Sequence, residues 1–383
     1  MDRGLQVNRR KFLGAAAAVG AASALKSSPI KALTQRSSIT PQEFKQRLRG
    51  AVVHLVTPFT ADYKVDVAGL RRMIQRALDN GLTVFELTYG DGRLWALNYE
   101  EMKLVARTMA EAVGNKGITT MCTGPWWTQQ TVEFARYVES VGCNGLQVML
   151  PEKGTEDGFV KHFEELARHT RLALVLRAAG FTGAIPMKLL ARLMNIDSVV
   201  AMKQDADETY MRECLIHYRG RLNSYAGNWE WLLLGLPYGA VASFGPFSTF
   251  APEISARFWK AVWANDLNNA REITEKYEHQ WLHQFSYPFW HASLEYFGVA
   301  GRYLRPPEYT IPIRRWPSLR RFMTDLSYIR RGNVAILPLN FRFIFSQGKN
   351  ANFSLISRGV DFCKQRRNAF MGSNIRIGPW HRI

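Results

Sequence analysis

The sequence predicts an α/β protein: a (β/α)8 barrel of eight parallel strands, with extra helices after the eighth strand. Short β-rich runs alternate with longer amphipathic segments from Gly50 onward, which favours a parallel sheet. Eight such units are present, and their span is close to the size of about 250 residues that is typical of this barrel. A doubly wound open sheet is the alternative, but no Gly-x-Gly-x-x-Gly pattern follows the first strand.

Two periodicities of apolar residues predict the individual elements. The first strand is an apolar, β-branched run that ends before Pro58, and the next segment repeats Leu70, Met73, Ile74 and Ala77 at helical spacing. The later units repeat this succession. The predicted strands are residues 52–57, 82–88, 118–123, 146–150, 172–177, 199–203, 222–226 and 240–243. The predicted helices are residues 66–80, 98–113, 128–141, 157–170, 186–194, 207–218 and 229–234, with further helical segments over 252–297.

The first 24 residues have the composition of an export signal. The basic segment Asn8–Gly14 precedes the apolar run Ala15–Leu25, and its Arg-Arg-x-Phe-Leu core resembles a twin-arginine signal. The apolar run is too short and too rich in alanine for a stable membrane span. We therefore predict a twin-arginine-type signal peptide and a periplasmic or extracellular location. A basic amphipathic helix of the mature protein is the alternative.

The remaining composition divides the chain into four further segments. Residues 25–49 are predicted to be a linker and lead-in, residues 50–250 the barrel, and residues 251–331 a helical extension. Residues 332–383 show no clear helical or strand period and form a basic tail of unknown structure.

The strong positive charge is concentrated at the two ends of the chain. Of the net charge of +18, residues 1–49 carry +8 and residues 332–383 carry +7, which leaves +3 for residues 50–331. A nearly neutral central region argues against nucleic acid as a partner of the barrel.

The cysteines do not predict a metal site or a disulfide framework. Cys122, Cys143, Cys214 and Cys363 form no Cys-x-x-Cys pair, and no histidine stands at ligand spacing from them. We therefore expect no metal site, and no cofactor is predicted either.

One lysine stands out at the end of the sixth predicted strand. Lys203 follows the apolar run Ser198–Met202, and lysine is seldom buried without a purpose. In an apolar barrel mouth its pKa should fall, and the neutral amine could then attack a carbonyl carbon to form an imine. Alternatively, the side chain reaches out of the strand and pairs with Asp205 or Asp207.

Several segments, in order along the chain, resemble the dihydrodipicolinate synthase and N-acetylneuraminate lyase family. The similar segments are Gly50–Phe59 with its Thr-Pro-Phe end, Val65-Asp66, Asn80–Leu82, Leu97–Glu101, Gly142–Gly145, Phe181–Gly183, Val199–Lys203 and Gly239–Ser243. The resemblance covers residues from about 50 to 310 and places Lys203 at the position of the family's imine-forming lysine. It implies condensation or cleavage at a 2-oxo acid, usually pyruvate, without a cofactor, in a homo-oligomer that is a dimer or a tetramer.

The chain departs from the family pattern at functional positions. Leu176 aligns with the tyrosine that shuttles protons from strand five, and Gly90 and Asp91 replace two threonines of the loop that holds the substrate carboxylate. Pro151 aligns with a second tyrosine of the proton relay, and Phe181 with an arginine that holds the synthase's second substrate. The synthase reaction itself is therefore not expected, because leucine cannot transfer a proton.

The resulting hypothesis is a divergent imine-forming lyase or aldolase that acts on a 2-oxo acid such as pyruvate or a sugar-acid derivative. Tyr89, Asp91 or Arg177 would take over proton transfer or charge binding. The predicted catalytic residues are Lys203 and Tyr89, and the predicted substrate-binding residues are Thr57, Gly90, Asp91, Arg177 and Ser243.

Two other functions fit the same sequence. One is an exported barrel that binds a small molecule without turnover, since a fold alone does not fix an activity. The other is a scaffold that interacts through aromatic side chains of the C-terminal helices. Those side chains are Trp259, Trp263, Trp281 and Trp290, which at helical spacing are also what a buried core would show.

Overall fold

Eight parallel strands form a closed barrel in the computed structural model, which describes residues 39–180 and 183–310 together with Arg321 and Thr324. The order of hydrogen-bonded neighbours is β1-β8-β7-β6-β5-β4-β3-β2, and β1 closes the barrel by pairing with both β2 and β8. The strands are β1 (Gly50–Leu55), β2 (Val84–Leu87), β3 (Ile118–Cys122), β4 (Gly145–Val148), β5 (Ala173–Arg177), β6 (Val199–Gln204), β7 (Asn223–Ala226) and β8 (Ala242–Phe244). The predicted (β/α)8 barrel is confirmed.

Helices cover the outside of the barrel and continue beyond the last strand. They are α1 (Pro41–Arg47), α2 (Val67–Asp79), α3 (Tyr99–Val113), α4 (Thr128–Ser140), α5 (Glu156–His169), α6 (Met187–Leu193), α7 (Glu208–His217), α8 (Trp229–Gly235), α9 (Phe247–Phe250), α10 (Pro252–Trp263), α11 (Leu267–Ile273), α12 (Gln280–His283) and α13 (Tyr287–Tyr296). A π-helix, Thr274–His279, joins α11 to α12. A short antiparallel hairpin, Ala179–Gly180 with Gly183–Ala184, follows β5.

The side chains of the strands are divided between two cores, one on each face of the sheet. Residues such as Val53, Leu55 and Phe85 face the helices and belong to the large core between sheet and helices. Residues such as Val52 and Val84 face the barrel axis and form a second, smaller core. Because both faces of each strand are buried, the strands are continuous apolar runs, which is why the sequence revealed them.

Helix α1 lies in the segment that was predicted to be a linker. Thr40 caps the helix: its hydroxyl accepts a hydrogen bond from the Glu43 backbone N–H, while the Glu43 carboxylate accepts one from the Thr40 N–H. Pro41 occupies the first helical turn, where its missing N–H costs nothing. The structure thus adds a helix over residues 41–47 to the segment that was predicted as a linker and lead-in.

Helix α1 closes the amino-terminal end of the barrel. Phe44 and Leu48 are buried and belong to the same core as Val52 in the barrel interior. The Phe44 ring lies so close to β4 that a Cβ at Gly145 would approach it to 2.9 Å. The interior is therefore sealed at this end, and access to the axis is left to the carboxyl-terminal ends of the strands, here called the mouth.

The tryptophans of the C-terminal helices are mostly core residues. Trp259, Trp281 and Trp290 are at most 2 % exposed, whereas Trp263 is 69 % exposed. Three of the four side chains on which a scaffold role depended are thus unavailable to a partner.

Several predicted segments lie outside the described residues: the signal peptide, most of residues 25–49, and the basic tail. Within the described part of the chain, no helix has both the length and the apolar character needed to cross a membrane.

Truncating Phe44, the α1 side chain that closes the amino-terminal end of the barrel, should destabilise the whole fold. We expect Phe44→Ala to lower the free energy of unfolding by about 3–5 kcal/mol, because a fully buried ring is replaced by a cavity. Urea denaturation followed by far-ultraviolet circular dichroism measures this. The control is Gln46→Ala, an exposed position of the same helix, for which we expect a change within about 0.5 kcal/mol. Equal losses in the free energy of unfolding for the two variants would contradict the role of Phe44 in closing the barrel.

Candidate active site

Lys203 lies at the carboxyl-terminal end of β6 and faces the barrel axis. Ala201, two residues earlier, belongs to the interior core, so alternation places the Lys203 side chain on the same side. The residue is 8 % exposed, and its Nζ lies 4.8 Å from the centre of the Phe244 ring. In the strand register Lys203 stands between Arg177 on β5 and Tyr225 on β7. The structure thus puts this amine in the mouth, as the sequence predicted.

The amine is surrounded by opposite charges. Its Nζ lies 3.6 Å from Asp91 Oδ2 and 3.8 Å from Asp205 Oδ2. Arg177 completes the group, since its Nε donates to Asp205 Oδ2 at 2.6 Å. These four residues are called the lysine cluster below.

The lysine cluster reverses the expected pKa shift of Lys203. Burial alone would lower the pKa of the ammonium, but the carboxylates of Asp91 and Asp205 outweigh burial and raise the pKa above its ordinary value. The prediction of a lowered pKa was wrong, because it counted burial and omitted Asp91. The alternative pairing with Asp205 is found, but with the lysine buried and not reaching outward.

Asp91 reaches Lys203 from the loop that follows β2. Gly92 permits the tight course of this loop, because a Cβ there would lie 2.3 Å from the Thr88 carbonyl oxygen. Thr57 fixes the loop from β1's side: its buried hydroxyl donates to the Gly92 carbonyl at 2.5 Å. Thr57 was predicted to bind substrate. In the structure its hydroxyl is used to position the loop that carries Asp91.

Asp91 is surrounded by donors at long distances. His54 Nδ1 lies 3.7 Å from Oδ2, and the Tyr287 hydroxyl donates to Oδ1 at 3.4 Å. Burial would raise the pKa of Asp91, but Lys203 and His54 outweigh it and hold the pKa well below its ordinary value. Burial also lowers the pKa of His54, which is therefore neutral at pH 7. Asp91 remains a carboxylate under all ordinary conditions.

Arg177, and not Leu176, is the β5 side chain that lies beside the lysine. Leu176 is fully buried in the core between sheet and helices, whereas its neighbour Val175 belongs to the interior core. Alternation therefore turns Arg177 toward the mouth, next to Lys203. Position by position the sequence aligned Leu176 with the family tyrosine, but in space a guanidinium occupies the place beside the amine. Arg177 thus lies beside Lys203, and its predicted role in substrate binding stays a prediction.

A buried acid lies deeper in the barrel. The Glu86 carboxyl accepts hydrogen bonds from Gln147 Nε2 at 2.5 Å and from the Tyr225 hydroxyl at 2.8 Å. Burial raises the pKa of Glu86 to about 7, partly opposed by the positive charge of Lys203. Glu86 thus titrates near neutral pH, and Tyr225 links it to the strand position next to Lys203.

The other predicted residues have different positions. Tyr89 is half-buried, and burial is the main cause that raises its pKa. The backbone of Gly90 lies under Tyr287, since a Cβ there would be 3.5 Å from the Tyr287 hydroxyl. The roles of Tyr89 and Gly90 stay predictions.

Ser243 does not face the mouth. Its neighbours Ala242 and Phe244 both belong to the interior core, so the extended strand turns Ser243 toward the helices. Ser243 was predicted to bind substrate from its position at the strand end, whereas its side chain lies on the helix side of the barrel wall.

The site also contains five residues outside the predicted catalytic and substrate-binding set: His54, Glu86, Gln147, Tyr225 and Tyr287. Four of them face the interior from barrel strands, and polar side chains in otherwise apolar strands were the available signal. Tyr287 comes from α13, far along the chain, and only the fold brings it to Asp91. Among the described residues, no group of three or more His, Cys, Asp or Glu side chains could hold a metal ion.

Comparison with known proteins identifies what the barrel is similar to. The model of the dihydrodipicolinate synthetase family matches residues 47–324. The 4-hydroxy-tetrahydrodipicolinate synthase of Magnetococcus marinus is 27 % identical over 241 residues, which cover 60 % of this chain and 80 % of that protein. The corresponding enzyme 2 of Streptomyces coelicolor is 30 % identical over 230 residues, covering 58 % and 75 %.

Solved structures show the same fold. YagE, a prophage protein of the dihydrodipicolinic acid synthase family from E. coli, was crystallised with pyruvate; it matches with a TM-score of 0.65 at 22 % identity, covering 73 % of this chain and 98 % of its own. Dihydrodipicolinate synthase from Thermotoga maritima matches with a TM-score of 0.66 at 20 % identity, covering 73 % and 98 %.

The buried acid should make stability fall as the pH rises. Because the pKa of Glu86 is raised from 4.5 to about 7 on folding, the folded state binds more protons between these values. Protonation of Glu86 thus contributes on the order of 3 kcal/mol to the free energy of unfolding at pH 4.5, and this contribution is lost as the pH rises to about 7.

We therefore expect Glu86→Gln, which keeps the size and stays neutral, to gain stability relative to the unchanged protein as the pH rises from 5 to 8. Urea denaturation at both pH values gives the difference. The control is Glu164→Gln, an exposed carboxyl on α5, for which no such gain is expected. Parallel pH dependence of the Glu86 variant and the unchanged protein would show that Glu86 is ionised throughout.

Proposed function

Because the chain belongs to the dihydrodipicolinate synthetase family, we propose that it is an imine-forming lyase whose nucleophile is Lys203. The neutral Nζ would attack the carbonyl carbon of a small substrate to form a carbinolamine. Loss of one water molecule then gives a cationic imine, which withdraws electrons from the neighbouring carbon while a carbon–carbon bond is formed or broken.

One observation carries this proposal: a buried amine in the mouth with two carboxylates at 3.6 and 3.8 Å. The ammonium and the imine derived from it carry the same positive charge at nearly the same place. Asp91 and Asp205 would therefore stabilise the imine as they stabilise the ammonium, and they are held in position before the reaction begins.

The same carboxylates oppose the first step. Attack requires the unprotonated amine, and the raised pKa of Lys203 keeps the neutral form scarce at pH 7. We propose that capture of the carbonyl is slow at this site, whereas the cationic imine that follows is stable.

Proton transfer needs a group that both gives and takes a proton near neutral pH. The sequence proposed Tyr89, whose pKa is raised by burial. Glu86 fits the requirement better, since its pKa is about 7, and Tyr225 connects it to the position beside Lys203. We propose Glu86 as the store for this proton.

The family suggests a 2-oxo acid as the substrate, as in the pyruvate complex of YagE. Arg177 is the cation that the sequence proposed for its carboxylate, but its Nε is already paired with Asp205. The second candidate function, binding without turnover, is favoured by the raised pKa of Lys203, because a permanently charged amine would hold an anion without reacting with it.

Chemical trapping separates the two functions. With a panel of small carbonyl compounds (pyruvate, hydroxyacetone and acetone) and sodium cyanoborohydride, the imine should be reduced to a stable secondary amine. Peptide mass spectrometry should find the added mass on Lys203. Lys203→Arg should abolish this label while keeping the ion pairs, because a guanidinium stays protonated and cannot attack.

Retained melting temperature of Lys203→Arg would show that lost labelling is chemical and not a consequence of unfolding. If no member of the panel labels Lys203, yet a compound raises the melting temperature, the binding function replaces the enzymatic one.

Removing one carboxylate should shift the pH dependence of capture. We expect the labelling rate of the unchanged protein to rise between pH 7 and 10, as the neutral amine becomes available. Asp205→Asn removes one of the carboxylates whose charges raise the pKa of Lys203, so its profile should move toward lower pH. The asparagine oxygen can still accept from the Ala179 N–H.

The comparison is made at each pH between variants, so that the reagent's own pH dependence cancels. Asp197→Asn, an exposed site, serves as the control for net charge. Superimposable profiles of Asp205→Asn and the control would mean that Asp205 does not govern the amine.

A further inference from the structure

We infer that Asp91 makes this site select an uncharged carbonyl compound with a hydroxyl group beside the carbonyl, and not a 2-oxo acid. The inference rests on the proposed function and names the substrate class of the same site. It is carried by the position of Asp91, the balance of charges around Lys203, and the acceptors that Asp91 offers.

Asp91 occupies the place that a substrate carboxylate would need. In the imine of a 2-oxo acid, the carboxylate is attached to the carbon that is bonded to Nζ, so it lies within contact distance of the nitrogen. Asp91 Oδ2 already lies 3.6 Å from Nζ, in the loop where the sequence resembles the family's carboxylate loop. The protein supplies from its own chain the anion that a 2-oxo acid would bring.

The charges of the lysine cluster already balance. Lys203 and Arg177 are cations, and Asp91 and Asp205 are carboxylates. The other cation of this loop, Arg93, is paired with Glu308 and lies against the Tyr287 ring, 4.0 Å from its centre. A 2-oxo acid would add a negative charge beside Asp91 without a new cation, whereas an uncharged carbonyl compound leaves the balance intact, since the imine keeps the charge of the lysine.

Asp91 also offers acceptors to a substrate hydroxyl. Its contacts with His54, Tyr287 and Thr88 are 3.4–3.7 Å long, beyond the usual hydrogen-bond range. A carboxylate accepts about four hydrogen bonds, so short bonds remain to be made. A hydroxyl on the carbon next to the carbonyl would lie near Nζ, in the region that the carboxylate of a 2-oxo acid would need. From there it would donate a hydrogen bond to Asp91.

Competitive labelling tests the inference directly. Hydroxyacetone and pyruvate are methyl ketones of similar size that differ in the second group on the carbonyl carbon, which is a hydroxymethyl group in hydroxyacetone and a carboxylate in pyruvate. Each forms an imine with the loss of one water molecule. We expect cyanoborohydride labelling of Lys203 to be at least about tenfold faster with hydroxyacetone than with pyruvate at equal concentrations, because the repulsion between two carboxylates is avoided. Acetone, which lacks both groups, should fall between them.

Two variants ask whether Asp91 is the cause. Asp91→Asn removes the charge at constant size, and Asp91→Thr restores the residue type of the family pattern. Both changes also alter the basicity of Lys203, but this affects both compounds alike, so the ratio of the two rates is the readout. We expect the preference for hydroxyacetone to fall about tenfold or more in each variant, and to stay unchanged in the exposed-site control Asp197→Asn.

The outcomes distinguish a wrong substrate class from a wrong function. Faster labelling by pyruvate in the unchanged protein would overturn the inference and leave the imine-forming function standing. A preference for hydroxyacetone that survives Asp91→Asn and Asp91→Thr would also overturn it, since Asp91 would not be the determinant. Absence of label from all three compounds would remove the proposed function and the inference together.

Discussion

A pair of cations and a pair of carboxylates, packed together in the mouth of a closed barrel, set the properties of everything around them. Burying one ionised side chain alone would cost several kcal/mol, so Lys203 can remain in this place only with partners. Asp91 and Asp205 supply them, and Arg177 balances Asp205. The closed barrel makes this arrangement possible, because parallel strands end at one rim and bring residues far apart in the chain within contact distance.

This arrangement stabilises a positive charge more than it promotes nucleophilic attack. The same two carboxylates raise the pKa of Lys203 and would stabilise the imine formed from it. In the proposed reaction, capture of the carbonyl would thereby be slowed, while the intermediate that follows would be favoured. An enzyme that works in this way has its pH dependence set by the cluster, and not by burial of the lysine. The sequence suggested burial as the cause because burial can be recognised from an apolar strand, whereas a contact to Asp91 cannot.

The sequence predicted the barrel well because the relevant signals are local. Buried parallel strands are continuous apolar runs, and the intervening helices show their own period. The position of Lys203 followed from the same pattern. The orientation of side chains was harder: Ser243 and Leu176 are one residue away from positions that face the axis, and a shift of one residue reverses the side of a strand. His54 and Tyr287 were missed as site residues because no local pattern relates them to Asp91, which only the fold brings within reach.

Compared with the family pattern, this site has exchanged neutral hydrogen-bonding groups for ions. The guanidinium of Arg177 lies beside Lys203, one residue after the position that aligns with the family's tyrosine, and Asp91 replaces one of the threonines in the segment that resembles the family's carboxylate loop. Neither exchange is tolerable alone, since each would leave an unbalanced charge in a buried place. Together with Lys203 and Asp205 they balance, so the two exchanges are best understood as one change of the site. A negatively charged substrate would then have to compete with Asp91 for the charge of Lys203, whereas an uncharged substrate would not. The selection of substrate would follow from the condition that makes the resting site stable.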